Sequence, residues 1–156
     1  MSESGALELE LPSDPEMLPE VREQFRQWAL PHGWTEDQVA DTVLAIDEAL
    51  TNVIRHGYGG EAGHTILVSL QALDDPVRGP GLEVRIRDHG KQVDPGTIRG
   101  RDLEDMRPGG LGVHIIQSVM DSAEYSCVPG GGMQLVMRKY QRQAPATGTD
   151  SRNEQP

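Results

Sequence analysis

Two residues in mid-chain, Glu48 and Asn52, are four apart on a strongly periodic helix. That spacing stacks them on one helical side. Together they offer a proton acceptor and a neutral oxygen ligand, a pair suited to a phosphate-bound Mg²⁺, which takes few protein ligands. Taken alone, Glu-x-x-x-Asn reads as a solvated polar face. Two further stretches change that. Asp88-His89-Gly90 follows an alternating strand, and glycine there permits close approach of a ligand to backbone. A carboxylate at that point can accept from an exocyclic amine in a dry pocket, selecting adenine over guanine. Gly109-Gly110-Leu111-Gly112 precedes an apolar helix, so free amides and the positive helix end can hold phosphates. No Gly-Lys-Ser/Thr follows, so this is not a P-loop, and its late place in the chain excludes the dinucleotide fingerprint.

These residues must be positioned by ordinary elements. Val39, Val43, Ile46, Leu50 and Val53 form one apolar stripe, roughly opposite Glu48 and Asn52. Thr35 and Gln38 form a capping box at the start of that helix, which runs to about His56 before Gly57-Tyr58-Gly59-Gly60. Upstream, residues 6–11 alternate apolar and acidic, as a strand with one buried face does, and Pro12 stops it. A first helix is expected over residues 15–30, with Met17, Val21, Phe25, Trp28 and Ala29 inward. Downstream, residues 65–72 and 82–87 read as strands joined by a turn-rich connection at 74–81. Residues 91–107 have little periodicity and read as a functional loop or lid. Closing strands are expected near 123–128 and 133–140, with Cys127 in strand packing and Trp28 and Trp34 in the core or its rim. Strand, two helices, strands, loop, helix, strands spells an α+β two-layer sandwich with a mixed, largely antiparallel sheet.

Composition narrows the class. The 156 residues fit one domain, and 25 acidic against 14 basic side chains give a formal charge of -11. That balance argues against nucleic acid as a partner, because counterion release needs clustered cations, and favours partners with basic patches. One cysteine excludes an intrachain disulfide and a cysteine metal cluster. No apolar run approaches membrane-spanning length and the N-terminus lacks signal-peptide regions, so a soluble, cytoplasmic domain without a membrane role is expected. Residues 1–5 and the polar tail 141–156 are expected to be disordered around a domain at 6–140.

In combination and order, the motifs resemble the Bergerat-fold (GHKL) ATP-binding superfamily. More narrowly, the chain resembles the anti-sigma factor serine/threonine-protein kinases of bacterial partner-switching systems. Residues 48–58, Glu-Ala-Leu-Thr-Asn-Val-Ile-Arg-His-Gly-Tyr, match that family's N-box. Asp88-His89-Gly90 matches its first glycine box, and Arg107-Pro108-Gly109-Gly110-Leu111-Gly112 its second. The resemblance implies ATP and Mg²⁺ as cofactors, with Asn52 on the metal, Glu48 as catalytic base and Asp88 on the adenine amine. It implies that Gly90, Gly109, Gly110, Leu111 and Gly112 shape the nucleotide pocket. Arg107 would reach the γ-phosphate, a charge clamp on the transferring group. His56 either lines the phosphate side or simply faces the helix C-terminal dipole; Arg99 and Arg101 are either phosphate contacts or solvated loop charges. The implied partners are a small anti-sigma factor antagonist (a STAS domain), a sigma factor or equivalent regulator, and a second copy of the chain as a homodimer. Two other readings stand beside it: a histidine-kinase catalytic domain, and a nucleotide-binding interaction module without transfer. No phosphoacceptor helix pair is present for the first, and the full set of motif residues argues against the second.

Overall fold

The computed structural model of the chain describes residues 5–90 and 108–141, without the side chains of 108–113. The lid segment at 91–107, Arg99, Arg101 and Arg107 among it, lies outside the described residues.

Strand β1 (Ala6–Pro12) buries Leu11, packs Leu7 and Leu9 against the core and leaves Glu8 and Glu10 in water. Asp14 then accepts from the Glu16 amide at 3.0 Å and starts a short 3-10 turn, Pro15–Met17, leading into α1 (Leu18–Ala29). The expected single helix splits here because Pro19 has no amide to give the Pro15 carbonyl, which accepts from Leu18 in a 3-10 bond instead. Val21, Phe25, Trp28 and Ala29 face inward, and Gly33 at φ +95° turns the chain toward α2 (Glu36–Asn52). The Thr35–Gln38 box is made in both directions, at 3.1 and 3.0 Å. The buried face of α2 is rotated from the expected stripe. Thr42, Ala45 and Ala49 are buried with Val39, Ile46 and Leu50, whereas Val43 and Val53 are half-buried. Alanines at those positions let the helix lie close on the sheet, a contact that counting only large side chains misses.

The hairpin of β2 (Thr65–Asp75) and β3 (Gly79–Arg87) is longer than expected. Its connection pairs as strand up to Asp75↔Gly79, because the Asp75 carboxylate accepts from the Val77 and Arg78 amides at 2.7 and 2.9 Å and closes the chain in three residues. α3 (Pro108–Val119) packs against α2 and leads to β4 (Ser122–Cys127) and β5 (Met133–Tyr140). The sheet order is β1-β2-β3-β5-β4, and all four pairings are antiparallel, with no parallel pair among the described residues. Ile66, Val68, Leu70, Leu82, Val84, Ile86, Leu135 and Met137 share one core with Phe25, Leu50 and Ile116, giving two layers.

Three polar details depart from a simple wet face. Glu83 is 6 % exposed, because its cross-strand partner Arg138 and its neighbour Arg85 cover it at 2.8–3.0 Å. Burial pushes the Glu83 pKa up, but the two guanidinium groups outweigh it and hold the carboxyl below its ordinary value. Lys139 is buried and donates to the Val119 carbonyl at 2.8 Å, placing a cation at the negative end of α3. Cys127 is exposed rather than packed: it ends an edge strand, beyond the helices' cover.

Candidate functional site

The α-helical pattern of α2 stops at Asn52 and widens into one π-helical turn, Val53–Gly57. The Tyr58 amide donates to the Val53 carbonyl, five residues back, at 3.0 Å. Such widened turns gather at functional sites because they re-aim the residues beside them. Glu48 and Asn52 sit one turn apart just before it, both half-buried. Their neighbour Asp47 is spent on structure: Arg22 of α1 binds both its oxygens at 2.9 and 3.1 Å. Burial outweighs that arginine and leaves the Asp47 pKa raised. Glu48, by contrast, has no hydrogen-bond or ion-pair partner among the described residues. Beside Asn52 lies the Tyr125 hydroxyl of β4, buried and without a partner at full hydrogen-bond geometry. Burial pushes its pKa up to about 12, and the nearby Asn52 side chain pulls the other way. An unsatisfied hydroxyl beside an amide, with an uncommitted carboxylate one helical turn away, offers polar groups to a ligand that can hydrogen-bond them.

Asp88 follows β3 and is 5 % exposed. Its Oδ1 accepts from the Gly90 amide at 2.8 Å and the Met133 amide at 3.3 Å, so one oxygen fastens the turn. The other, Oδ2, faces Gly57, where a Cβ would stand 3.7 Å away. A Cβ there would make only ordinary contact with Oδ2, so residue 57 faces this acceptor oxygen without crowding it. Two more glycines fit the same turn. A Cβ on Gly90 would strike the Gly57 carbonyl, with the carbonyl carbon at 2.7 Å, and one on Gly132 would strike the Asp88 carbonyl and come within 2.7 Å of the His89 Cα.

Tyr58 joins the two halves. Its hydroxyl accepts from the His89 amide at 2.7 Å and donates to the Thr65 carbonyl at 2.8 Å, and its ring stacks on His64 at 4.4 Å. Neither Tyr58 nor Gly132 is singled out by the motifs' chemistry. Their signal is weak: an aromatic just after a glycine-ended helix, and a glycine run before a strand. Gly109, Gly110, Leu111 and Gly112 lie inside α3, which begins at Pro108, rather than ahead of it. Of their amides, those of Gly109 and Gly110 fall among the first four of the helix and have no intrahelical acceptor, so they keep the chemistry of an anion site, whereas those of Leu111 and Gly112 belong to the helix's own i→i−4 ladder. His56 is exposed on the π-helical turn.

ATP fits the donor set: the Asp88 oxygen facing the Gly57 gap suits an amine. Mg²⁺ fits as well. The half-buried Asn52 offers one neutral oxygen, and an ion held chiefly by phosphate and water needs only one or two side chains.

The sequence profile of the histidine kinase-like ATPase domain matches residues 11–139. The chain belongs to that family. Within it, the curated relatives include "Serine-protein kinase RsbW" of Listeria innocua, 32 % identical over 140 residues covering 85 % of both chains. The protein of the same name in Bacillus velezensis is 29 % identical over 142 residues, covering 86 % of this chain and 84 % of that one. The chain is thus a serine-protein-kinase-type member of the ATPase family. A crystal structure of the RsbU and RsbW domains of Rv1364c from Mycobacterium tuberculosis shares the fold, with a TM-score of 0.57 at 17 % identity. That likeness covers 86 % of this chain and 31 % of the longer one. No helix among the described residues is long and apolar enough to cross a membrane.

Proposed function

We propose that this histidine kinase-like ATPase domain transfers the γ-phosphoryl group of ATP to a serine or threonine of a small STAS-type anti-sigma factor antagonist. In the same partner-switching system it would bind and inhibit a sigma factor or an equivalent regulator, as a cytoplasmic homodimer with residues 6–140 as the working unit. What carries the reading is the pairing of an uncommitted Glu48 one turn from Asn52 with an Asp88 oxygen facing the Gly57 gap. Bound Mg-ATP supplies the phosphoryl group and the charge neutralisation. Asn52 would hold the metal, Asp88 the adenine amine, and the first turn of α3 the phosphates, with Arg107 as the clamp on the transferring group. Glu48 would take the proton from the partner's hydroxyl, which needs a carboxylate not already tied up by a salt bridge. The contrast with Asp47, held by Arg22, supports that division of labour.

The test is incubation with labelled ATP, Mg²⁺ and a STAS-domain antagonist. Label on a partner serine or threonine supports the reading. Label on a histidine of this chain, or nucleotide binding with no label transferred, would replace it with one of the two other readings.

A further inference from the structure

Tyr58 is 8 % exposed and stands where the end of α2 meets the turn after β3. Its hydroxyl is used twice, accepting from His89 at 2.7 Å and donating to Thr65 at 2.8 Å. Burial raises its pKa, so the donated proton stays in place at neutral pH. The residue before it, Gly57, fronts Asp88 Oδ2; the residue after Asp88 is the one whose amide Tyr58 binds. The ring edge also lies 3.1 Å from where a Gly90 Cβ would stand. The side chain therefore ties Gly57 and the Asp88-His89-Gly90 turn into one rigid wall.

We infer that the Tyr58 hydroxyl is a positioning residue for base selection: it sets the gap between Gly57 and Asp88 Oδ2 in which an exocyclic amine is read. This rests on the proposed adenine role of Asp88 and deepens it. Without the hydroxyl, the His89 amide loses its acceptor and the turn can drift from Gly57. An amine-bearing base then loses a well-aligned acceptor. The chemistry at Glu48, which lies on the preceding helix, keeps its geometry once nucleotide is saturating.

The experiment is steady-state transfer to the antagonist, with ATP and with GTP, for the parent, Tyr58→Phe and His64→Ala. Tyr58→Phe keeps the ring and its stack and removes only the oxygen. The expected result is a KM for ATP raised about tenfold with kcat within about twofold, and an ATP-over-GTP preference reduced about tenfold. His64→Ala removes the stack and leaves both hydroxyl bonds, so its ATP-over-GTP preference should match the parent's. A merely structural role would lower activity with both nucleotides alike. A parent that discriminates and a Tyr58→Phe variant that discriminates equally would overturn the inference while leaving Asp88 as the base reader. A parent that does not discriminate would overturn both. A second measurement does not depend on that variant folding: in the parent, the His89 amide should resist hydrogen exchange although its side chain is exposed. Exchange at the rate of an open loop would overturn the inference by itself.

Discussion

Replacing Asp88 by Asn changes one atom and no shape, and the structure predicts which way the new group must point. Oδ1 accepts from the Gly90 and Met133 amides, at 2.8 and 3.3 Å. An asparagine that kept those bonds must place its oxygen there and its NH₂ where Oδ2 now faces Gly57. A donor then meets the amine instead of an acceptor. The loss is one charge-assisted hydrogen bond, worth about 1.5–3 kcal/mol. At about 1.4 kcal/mol per factor of ten, ATP affinity should fall roughly ten- to 150-fold. Thermal stability should change little, because the two amide bonds persist. Titration calorimetry with ATP and GTP on parent and variant measures this directly. Unchanged ATP affinity in a folded Asp88→Asn protein would refute the argument, as would a parent that binds GTP as well as ATP.

Other expectations follow from the same geometry. Asn52→Ala should abolish Mg²⁺-dependent nucleotide binding and transfer together, measured by Mg-ATP titration. Gly90→Ala should cost about 1–3 kcal/mol in denaturant unfolding, since its Cβ would strike the Gly57 carbonyl. Thr35→Ala should cost about 1 kcal/mol by breaking the reciprocal cap of α2, leaving nucleotide affinity unchanged. The Glu83 carboxyl is held below its ordinary value of 4.5, so its contribution to stability is present above that pH and is lost as pH falls through its lower folded value. Urea midpoints followed across that acid window should therefore fall less steeply for Glu83→Gln than for the parent.

Much of the layer order was readable because it rests on local signals. The Thr35–Gln38 box, the alternation in β1 and the prolines around α1 each act within a few residues, and the structure keeps them. The site's parts were readable as residue types. Their junction was not. A π-helical turn at Val53–Gly57 comes from a one-residue shift in hydrogen-bond partner, which composition barely encodes. Tyr58 acts through contacts with Thr65 and His89, the latter 31 residues away, so periodicity is silent about it. Strand alternation puts Glu83 on the face away from Leu82 and Val84, while its cover comes from Arg138 on β5, 55 residues on. Cys127 looked packed for the converse reason: alternation gave a face, and only the sheet order reveals an uncovered edge.

The central claim is that Glu48 is the base of a phosphoryl transfer whose nucleotide is held by other residues. Glu48→Gln should keep Mg-ATP affinity within a few-fold of the parent, since the base contributes to rate and little to binding, while transfer to the antagonist falls by about 10²–10⁴. Single-turnover transfer to the antagonist at saturating Mg-ATP measures that rate without the binding steps. A Glu48→Gln variant that phosphorylates the partner at the parent rate would contradict the account and reduce Glu48 to a polar residue on a helix.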